Sequence, residues 1–295
     1  MDKSLSRRHI LKTGVLAAIG ASIASGVSAQ IINPLAINTE PDTDAWKGLK
    51  MGIASYTFRK LSVEKTIKAM QRLDLKYVSI KDYHLPLTSS TEERKAVVQQ
   101  FKDAGITPLS CGNITMKNEE ADIRHAFEYA RDCGIPTIVC SPDPDSMPIL
   151  DRMVKEFDIK LAIHNHGPED KRFPSPHEVY QAAKGYDSRI GLCIDVGHTA
   201  RAKADPAECI LKYKDRLYDL HLKDIESLAP DAATVAGGRG VLDLYAILHA
   251  LLKIKYAHQI SIEYESNPED PYADVAETVG YAKGLLLGMT RGRRK

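Results

Sequence analysis

The chain has 295 residues, 43% of them apolar, enough to bury one sizeable core and close to the length of a single α/β barrel. Its formal charge is +1, but the first 29 residues hold Lys3, Arg7, Arg8 and Lys12 against Asp2, so the remainder carries 36 basic and 38 acidic residues. A net charge of −2 argues against a polyanion-binding surface.

The N-terminus reads as an address and not as part of the fold. Ser6-Arg7-Arg8-His9-Ile10-Leu11-Lys12 resembles a twin-arginine export motif, followed by an apolar stretch at 15–27 and a small-residue cleavage site, Val27-Ser28-Ala29. A signal peptide over 1–29 with cleavage after Ala29 is expected, and with it an exported, periplasmic location. The apolar stretch is too short and too rich in Gly and Ser for stable membrane insertion, which takes roughly 20 apolar residues. The pathway that this motif serves moves folded proteins, so a metal site can be filled before secretion. Residues 30–45 mix Pro, Asn, Thr and Asp without periodicity and read as a flexible lead-in to a single domain over 46–295.

From Trp46 onward, short β-rich runs alternate with amphipathic stretches of helical period. Strands are expected at 49–56, 77–80, 107–111, 137–140, 160–165, 190–195, 217–222 and 259–264. Helices are expected between them, at 62–73, 91–104, 119–133, 147–157, 176–184, 205–212, 242–253 and 271–287, several opening on Ser, Thr, Asp or Pro. Eight β-then-α units close most simply into a (β/α)8 TIM barrel. A doubly wound open sheet would carry a Gly-rich phosphate turn after its first strand, and Ser55-Tyr56-Thr57-Phe58-Arg59 has no glycine. The five cysteines, Cys111, Cys133, Cys140, Cys193 and Cys209, are odd in number, lack CxxC spacing and read as buried thiols.

Four strands in the second half end in metal-ligand residues. They are Leu161-Ala162-Ile163-His164, Leu192-Cys193-Ile194-Asp195, Leu217-Tyr218-Asp219-Leu220-His221 and Ile260-Ser261-Ile262-Glu263. A lone strand-end His or Asp is more often a hydrogen-bonded structural residue, but four on successive strands converge at a barrel mouth. Two imidazoles and two carboxylates suit one divalent ion such as Mn, Co, Fe or Zn better than Ca, which prefers oxygen shells. Such an ion polarises a carbonyl and stabilises the enediolate formed when the neighbouring carbon loses its proton.

Asp195-x-x-His198, His221-x-Lys223-Asp224 and Ile262-Glu263 together resemble the xylose-isomerase-like barrel superfamily of sugar isomerases and epimerases, over roughly Trp46 to the last helix. The resemblance implies Asp195, His221 and Glu263 as metal ligands, with His198 near the substrate oxygens. It also exposes a departure. Ketose epimerases of the superfamily end the fifth strand in a glutamate that is both ligand and catalytic base, and this chain has His164 there. Glu263 is left as the one carboxylate of the pair, so Lys223, Lys81, His166 and His198 are the candidates for a further acid or base.

Strand alternation aims Lys223 the same way as His221, although a lysine paired with Asp224 or Glu226 on a solvated loop fits the same residues. His166 shares a face with His164 and reads as a substrate contact, a fifth ligand or a support for a ligand. Glu265 shares a face with Glu263 and reads either as a hydroxyl-binding group or as a surface carboxylate. Lys81 and His84 follow the second strand, where a substrate-contacting loop belongs, and Arg201 follows His198. Gly237-Gly238-Arg239-Gly240 resembles the superfamily's glycine-containing loop and lets the chain turn tightly.

The functional expectation is an exported, divalent-metal-dependent sugar isomerase or epimerase, with Glu263, Lys223 and His198 as catalytic groups. A 3-keto-glycoside lyase or hydratase using the same site is the alternative, because a single base suits β-elimination. Two other classes compete: a sugar-binding barrel that has lost the reaction, and a nucleic-acid repair barrel, which the net charge and the leader oppose. A sugar phosphate is less suited to an exported enzyme. A small keto-sugar is therefore the expected partner, no nucleic acid is expected, and a homo-oligomer is allowed for because related barrels often pair.

Overall fold

The structure, a computed structural model, describes residues 44–291. The expected signal peptide and most of the lead-in lie outside the described residues. Eight parallel strands close into a barrel: β1 (Lys50–Ala54), β2 (Tyr77–Ile80), β3 (Thr107–Met116), β4 (Thr137–Pro142), β5 (Lys160–His164), β6 (Ile190–Asp195), β7 (Leu217–Leu222) and the last barrel strand, β10 (Gln259–Ile262). Two short strands between β7 and β10, β8 (Asp224–Ile225) and β9 (Thr234–Val235), form a separate antiparallel hairpin.

Helices α1 (Val63–Arg72), α2 (Thr91–Asp103), α3 (Glu120–Cys133), α4 (Met147–Phe157) and α5 (Pro176–Ala183) alternate with β1 to β6. They are followed by α6 (Val196–Arg201), α7 (Pro206–Lys212), α8 (Leu244–Lys253) and α9 (Tyr272–Arg291). Local chemistry sets many of the starts. Ser90 and Ser175 each form a reciprocal capping box with the glutamate three residues on, and Ser62, Asp205 and Asp243 accept from the first turns of α1, α7 and α8. No described helix is long and apolar enough to cross a membrane.

The expected (β/α)8 architecture holds, and three local features go beyond the sequence reading. The short helix α6 begins directly at Asp195, the β8–β9 hairpin follows β7, and β3 extends to Met116 through a register shift between Cys111 and Ile114. Strands β4, β6 and β7 are buried along their whole length, as parallel strands covered by helices must be. The described cysteines are all free thiols; four are buried and Cys209 is only half-buried.

Inward-facing residues of β6, β7 and β10 stack in tiers. Asp219, Cys193 and Ser261 share one tier, with Asp219 Oδ1 3.9 Å from Cys193 Sγ and 3.5 Å from Ser261 Oγ. One pleat further on, Asp195 pairs in register with His221, and Glu263 continues the β10 ladder by donating its N–H to Leu222 O at 2.9 Å.

The mouth is shaped by a second carboxylate that never faces the cluster of candidate ligands. Asp224, 1% exposed, accepts backbone N–H bonds from Ile225 (3.0 Å) and Leu242 (3.1 Å) at one oxygen, and from Gly238 (2.9 Å) and Gly240 (3.0 Å) at the other. Gly238 has φ +90°, and a Cβ at Gly240 would overlap the Asp224 carboxylate, so the glycines let this loop wrap the acid closely. Asp224→Ala is expected to cost about 3 kcal/mol or more, because bonds to a charged acceptor contribute roughly 1.5–3 kcal/mol each. Urea unfolding measures the loss, and faster amide exchange at Gly238 and Gly240 localises it.

Candidate active site

The register brings four expected ligand residues together at the C-terminal end of the barrel. One donor atom from each of His164, Asp195, His221 and Glu263 lies within 4.8 Å of all the others. His221 Nδ1 is 3.0 Å from His164 Nε2, 3.0 Å from Glu263 Oε2 and 3.7 Å from Asp195 Oδ2, and His164 Nε2 is 3.5 Å from Asp195 Oδ2. All four residues are buried.

Asp195 serves two structures at once. Its Oδ1 accepts from His198 N at 2.9 Å and so caps α6, which leaves Oδ2 directed at the cluster. Asn165, on the opposite face of its strand from His164, holds Asp195 from behind by accepting its backbone N–H at 3.0 Å. Asn165 Nδ2 also reaches Thr199 Oγ1 at 3.2 Å.

Lys223 is 3% exposed, and its Nζ lies 2.9 Å from Asp195 Oδ2 and 3.0 Å from Glu263 Oε2 while also pairing with Glu265. The solvated-loop reading of Lys223 is therefore set aside. Lys81, equally buried, places Nζ 3.7 Å from Glu263 Oε1 and 3.4 Å from His221 Nε2. Two carboxylates and two ammoniums thus meet around the imidazoles in a space largely closed to water.

Electrostatics follow from that crowding. Burial alone would raise the Asp195 and Glu263 carboxyls, but Lys223 beside Asp195, and His221, Lys223 and Lys81 beside Glu263, hold both well below the ordinary range. Burial pushes His164 well below its usual value, so its ring is neutral. In His221 burial opposes the cation, yet the ionised Glu263 and Asp195 carboxylates outweigh it and hold the pKa up. Burial also tends to neutralise Lys223, and Asp195, Glu263 and Glu265 keep it charged. The carboxylates are thus compensated by ammoniums and a proton on an imidazole.

That donor set fits a divalent cation. Asp195 Oδ2 is buried and accepts no hydrogen bond of normal geometry, although Lys223 stands close to it. Imidazole and carboxylate donors in this number are what a borderline ion takes once His221 gives up its proton. His164, Asp195, His221 and Glu263 would hold it.

Above the cluster lies a cavity of about 320 Å3, near the lower end of the range for small-molecule sites. His166 and His198 wall one side, their rings 4.4 and 5.8 Å from that of His164. His166 Nδ1 is 3.3 Å from Ser141 Oγ, and burial pushes the His198 ring down to about 4. Lys81 and Glu265 line the cavity as well. Tyr56, Asp82, Tyr83 and Asn113 do so too and were missed in the sequence reading. The first three sit just after β1 and β2, so the strand-end rule that found the ligands applies to them; Asn113 lies inside the irregular part of β3, where no such signal exists.

Two expected substrate contacts sit elsewhere. After Lys81 the chain folds into a turn, with His84 N and Leu85 N bonded to Lys81 O, and this swings His84 inward. His84 bridges Thr66 Oγ1 (2.9 Å) and Ser55 Oγ (3.0 Å) instead of facing the cavity, while Ser55 Oγ accepts from Lys81 N at 2.8 Å. It braces the segment that carries Lys81. Arg201 bonds to His198 Nδ1 and Pro230 O and borders a second, smaller chamber.

A profile of the family described as xylose isomerase-like TIM barrel matches residues 45–281. The chain belongs to that family. This xylose isomerase-like barrel is 28% identical over 162 residues to the rhizopine catabolism protein MocC of Rhizobium meliloti, covering 50% of this chain and 49% of that one. It is 28% identical over 145 residues to inosose dehydratase of Geobacillus kaustophilus (strain HTA426), covering 44% and 45% of the two chains. The matches thus span about half the length of these curated relatives. Among solved structures it superposes on 3-keto-D-glucoside 4-epimerase YcjR from E. coli, apo form, with a TM-score of 0.65, 15% identity and coverage of 80% and 99% of the two chains. At that identity the likeness shows the fold.

Lys223→Met leaves Asp195 and Glu263 with one counter-charge fewer. In chelator the variant is expected to lose about 3 kcal/mol, the lower end of the cost of breaking a buried pair. Saturating Mn2+ or Co2+ should restore most of the loss, since a divalent cation compensates the same carboxylates. Paired urea melts of wild type and variant, with EDTA and with metal, check this.

Proposed function

We propose that this chain is an exported, divalent-metal-dependent enzyme that removes a proton from the carbon beside the carbonyl of a keto-sugar, chemistry shared by sugar isomerases, epimerases and lyases. The observation that carries the reading is the meeting of His164, Asp195, His221 and Glu263 donor atoms within 4.8 Å at the floor of the 320 Å3 cavity. A bound divalent cation would polarise the carbonyl and make the neighbouring C–H acidic.

The chain's own residues supply the rest. Glu263 turns Oε2 toward His221 and Lys223, while Oε1 faces Lys81; Oε1 is the oxygen we assign as acceptor of the substrate proton. Lys81 holds that carboxylate in place and offsets the charge that develops on the substrate oxygens. His198, which lines the cavity with a neutral ring, is the group we assign to relay the returning proton, while Lys223, tied to Asp195, Glu263 and Glu265 behind the cavity wall, holds those carboxylates in place. His166, held by Ser141, and Asn113 orient hydroxyls on the far wall.

Elimination is the second reading, and one observation favours it. The β5 strand ends in His164, so the ligand set offers one carboxylate base, Glu263; of the other carboxylates lining the cavity, Glu265 is paired with Lys223 and Asp82 lies on the loop after β2, and His166 and His198 form the facing wall. A single base removes a proton and lets a β-substituent leave; returning a proton to the other face asks for a second base. Similarity to an inosose dehydratase supports this outcome, and the fold shared with a 3-keto-glucoside epimerase supports keto-sugars as the substrate class.

The test is incubation of the metal-replete protein with 3-keto-glycosides and free ketoses in deuterated water, followed by NMR. Deuterium beside the carbonyl of a rearranged sugar marks isomerisation or epimerisation, and a released aglycone with an unsaturated keto-sugar marks elimination. Glu263→Gln should slow either by about a thousandfold, within the usual range for loss of a general base. A panel left without deuterium or product would overturn the reading.

A further inference from the structure

A chamber of about 170 Å3 adjoins the main cavity, and His198 and Glu265 line both. One wall is the end of the β8–β9 connection, Ala232 and Ala233, with Thr234 at the start of β9, and another is Gly197 and Ile225. The volume equals that of about six waters at liquid density, enough for a six-membered ring and too little for a long chain.

Charge decides what kind of group it suits. Lys223 and Arg201 border the chamber, but Lys223 is committed to Asp195, Glu263 and Glu265, and the Arg201 guanidinium to His198 Nδ1 and Pro230 O. The hydroxyls are engaged as well: Thr234 Oγ1 accepts from Glu265 N (2.8 Å) and Ser266 N (3.0 Å), and Ser266 Oγ donates to Thr234 O (2.7 Å). An incoming phosphate would find paired cations beside three carboxylates. A neutral group with an apolar face would find alanine, glycine and isoleucine surface.

We infer that the substrate is a two-part, uncharged molecule, a keto-glycoside whose carbonyl-bearing ring fills the main cavity and whose second ring or aglycone fills the Ala232–Thr234 chamber. The bond between the two parts then passes His198 and Glu265. This rests on the keto-sugar reading above and narrows it. It also separates glycosides from free ketoses and sugar phosphates, which leave the chamber empty.

The experiment is NMR titration of the full-length, metal-replete protein with three unreactive probes: glucose, phenyl β-D-glucoside and glucose 6-phosphate. The glucoside should bind about tenfold more tightly than glucose, a usual gain for filling a small apolar pocket, and the phosphate should gain nothing. Saturation transfer should reach the phenyl protons. Ala232→Phe, filling the chamber, should erase the glucoside's advantage and leave glucose binding within about twofold. Ala233→Phe is the companion variant should the first fail to fold. Equal wild-type affinity for glucose and glucoside, or equal weakening of both by the variants, would overturn the inference. Deuterium exchange run beside it keeps the two readings apart, because tight glucoside binding without exchange on any keto-sugar supports the chamber and contradicts the proposed reaction.

Discussion

Two carboxylates, two lysines and two imidazoles are buried within a few ångströms of each other, and the rest of the barrel is arranged to make that tolerable. Removing an ionised group from water costs several kcal/mol unless its charge is met by a partner with good geometry. Here the partners come from the facing strands. Lys223 spans Asp195, Glu263 and Glu265, Lys81 faces Glu263, and His221 sits between the carboxylates. A cluster so balanced is poised to exchange protons and ammonium contacts for a divalent cation.

Parallel register is what delivers the groups to one place. Asp195 lies level with His221, His164 lies level with Cys193 one pleat below Asp195, and Glu263 follows one residue above the Ile262–Leu222 pair. Because side chains alternate, every second residue of β7 enters the barrel, Asp219 in the floor and His221 in the cluster, and Lys223, just past the strand end, keeps the same direction above it. Outside that stack, residues with no place in the chemistry hold those that have one. Asn165 holds Asp195, Ser55 and His84 brace the backbone at Lys81, and Asp224 gathers the 237–242 loop that rims the mouth.

Most of the fold and the centre of the site were legible in the sequence because both rest on short-range patterns. Apolar runs of strand length spaced by capped amphipathic stretches specify a barrel, and strand ends specify its mouth. What escaped depends on direction and on very short elements. His84 occupies a strand-end loop as expected, but the turn at 81–85 points it into the protein. Helix α6 is only six residues long and contains Gly197, so it carries no helical period, and the β8–β9 pair has two residues a side. Asn113 reaches the cavity from within β3 because the strand slips register there, which composition does not encode.

The proposed chemistry depends on His164, Asp195, His221 and Glu263 forming one cation site. Anomalous diffraction from crystals of the protein grown with Zn2+ tests it most directly. One strong peak is expected roughly 2.0–2.2 Å from a donor atom of each of the four residues, with the Lys223 ammonium displaced from Asp195 and Glu263. A barrel mouth without such a peak, its carboxylates still spanned by Lys223 while zinc binds elsewhere or not at all, would contradict it.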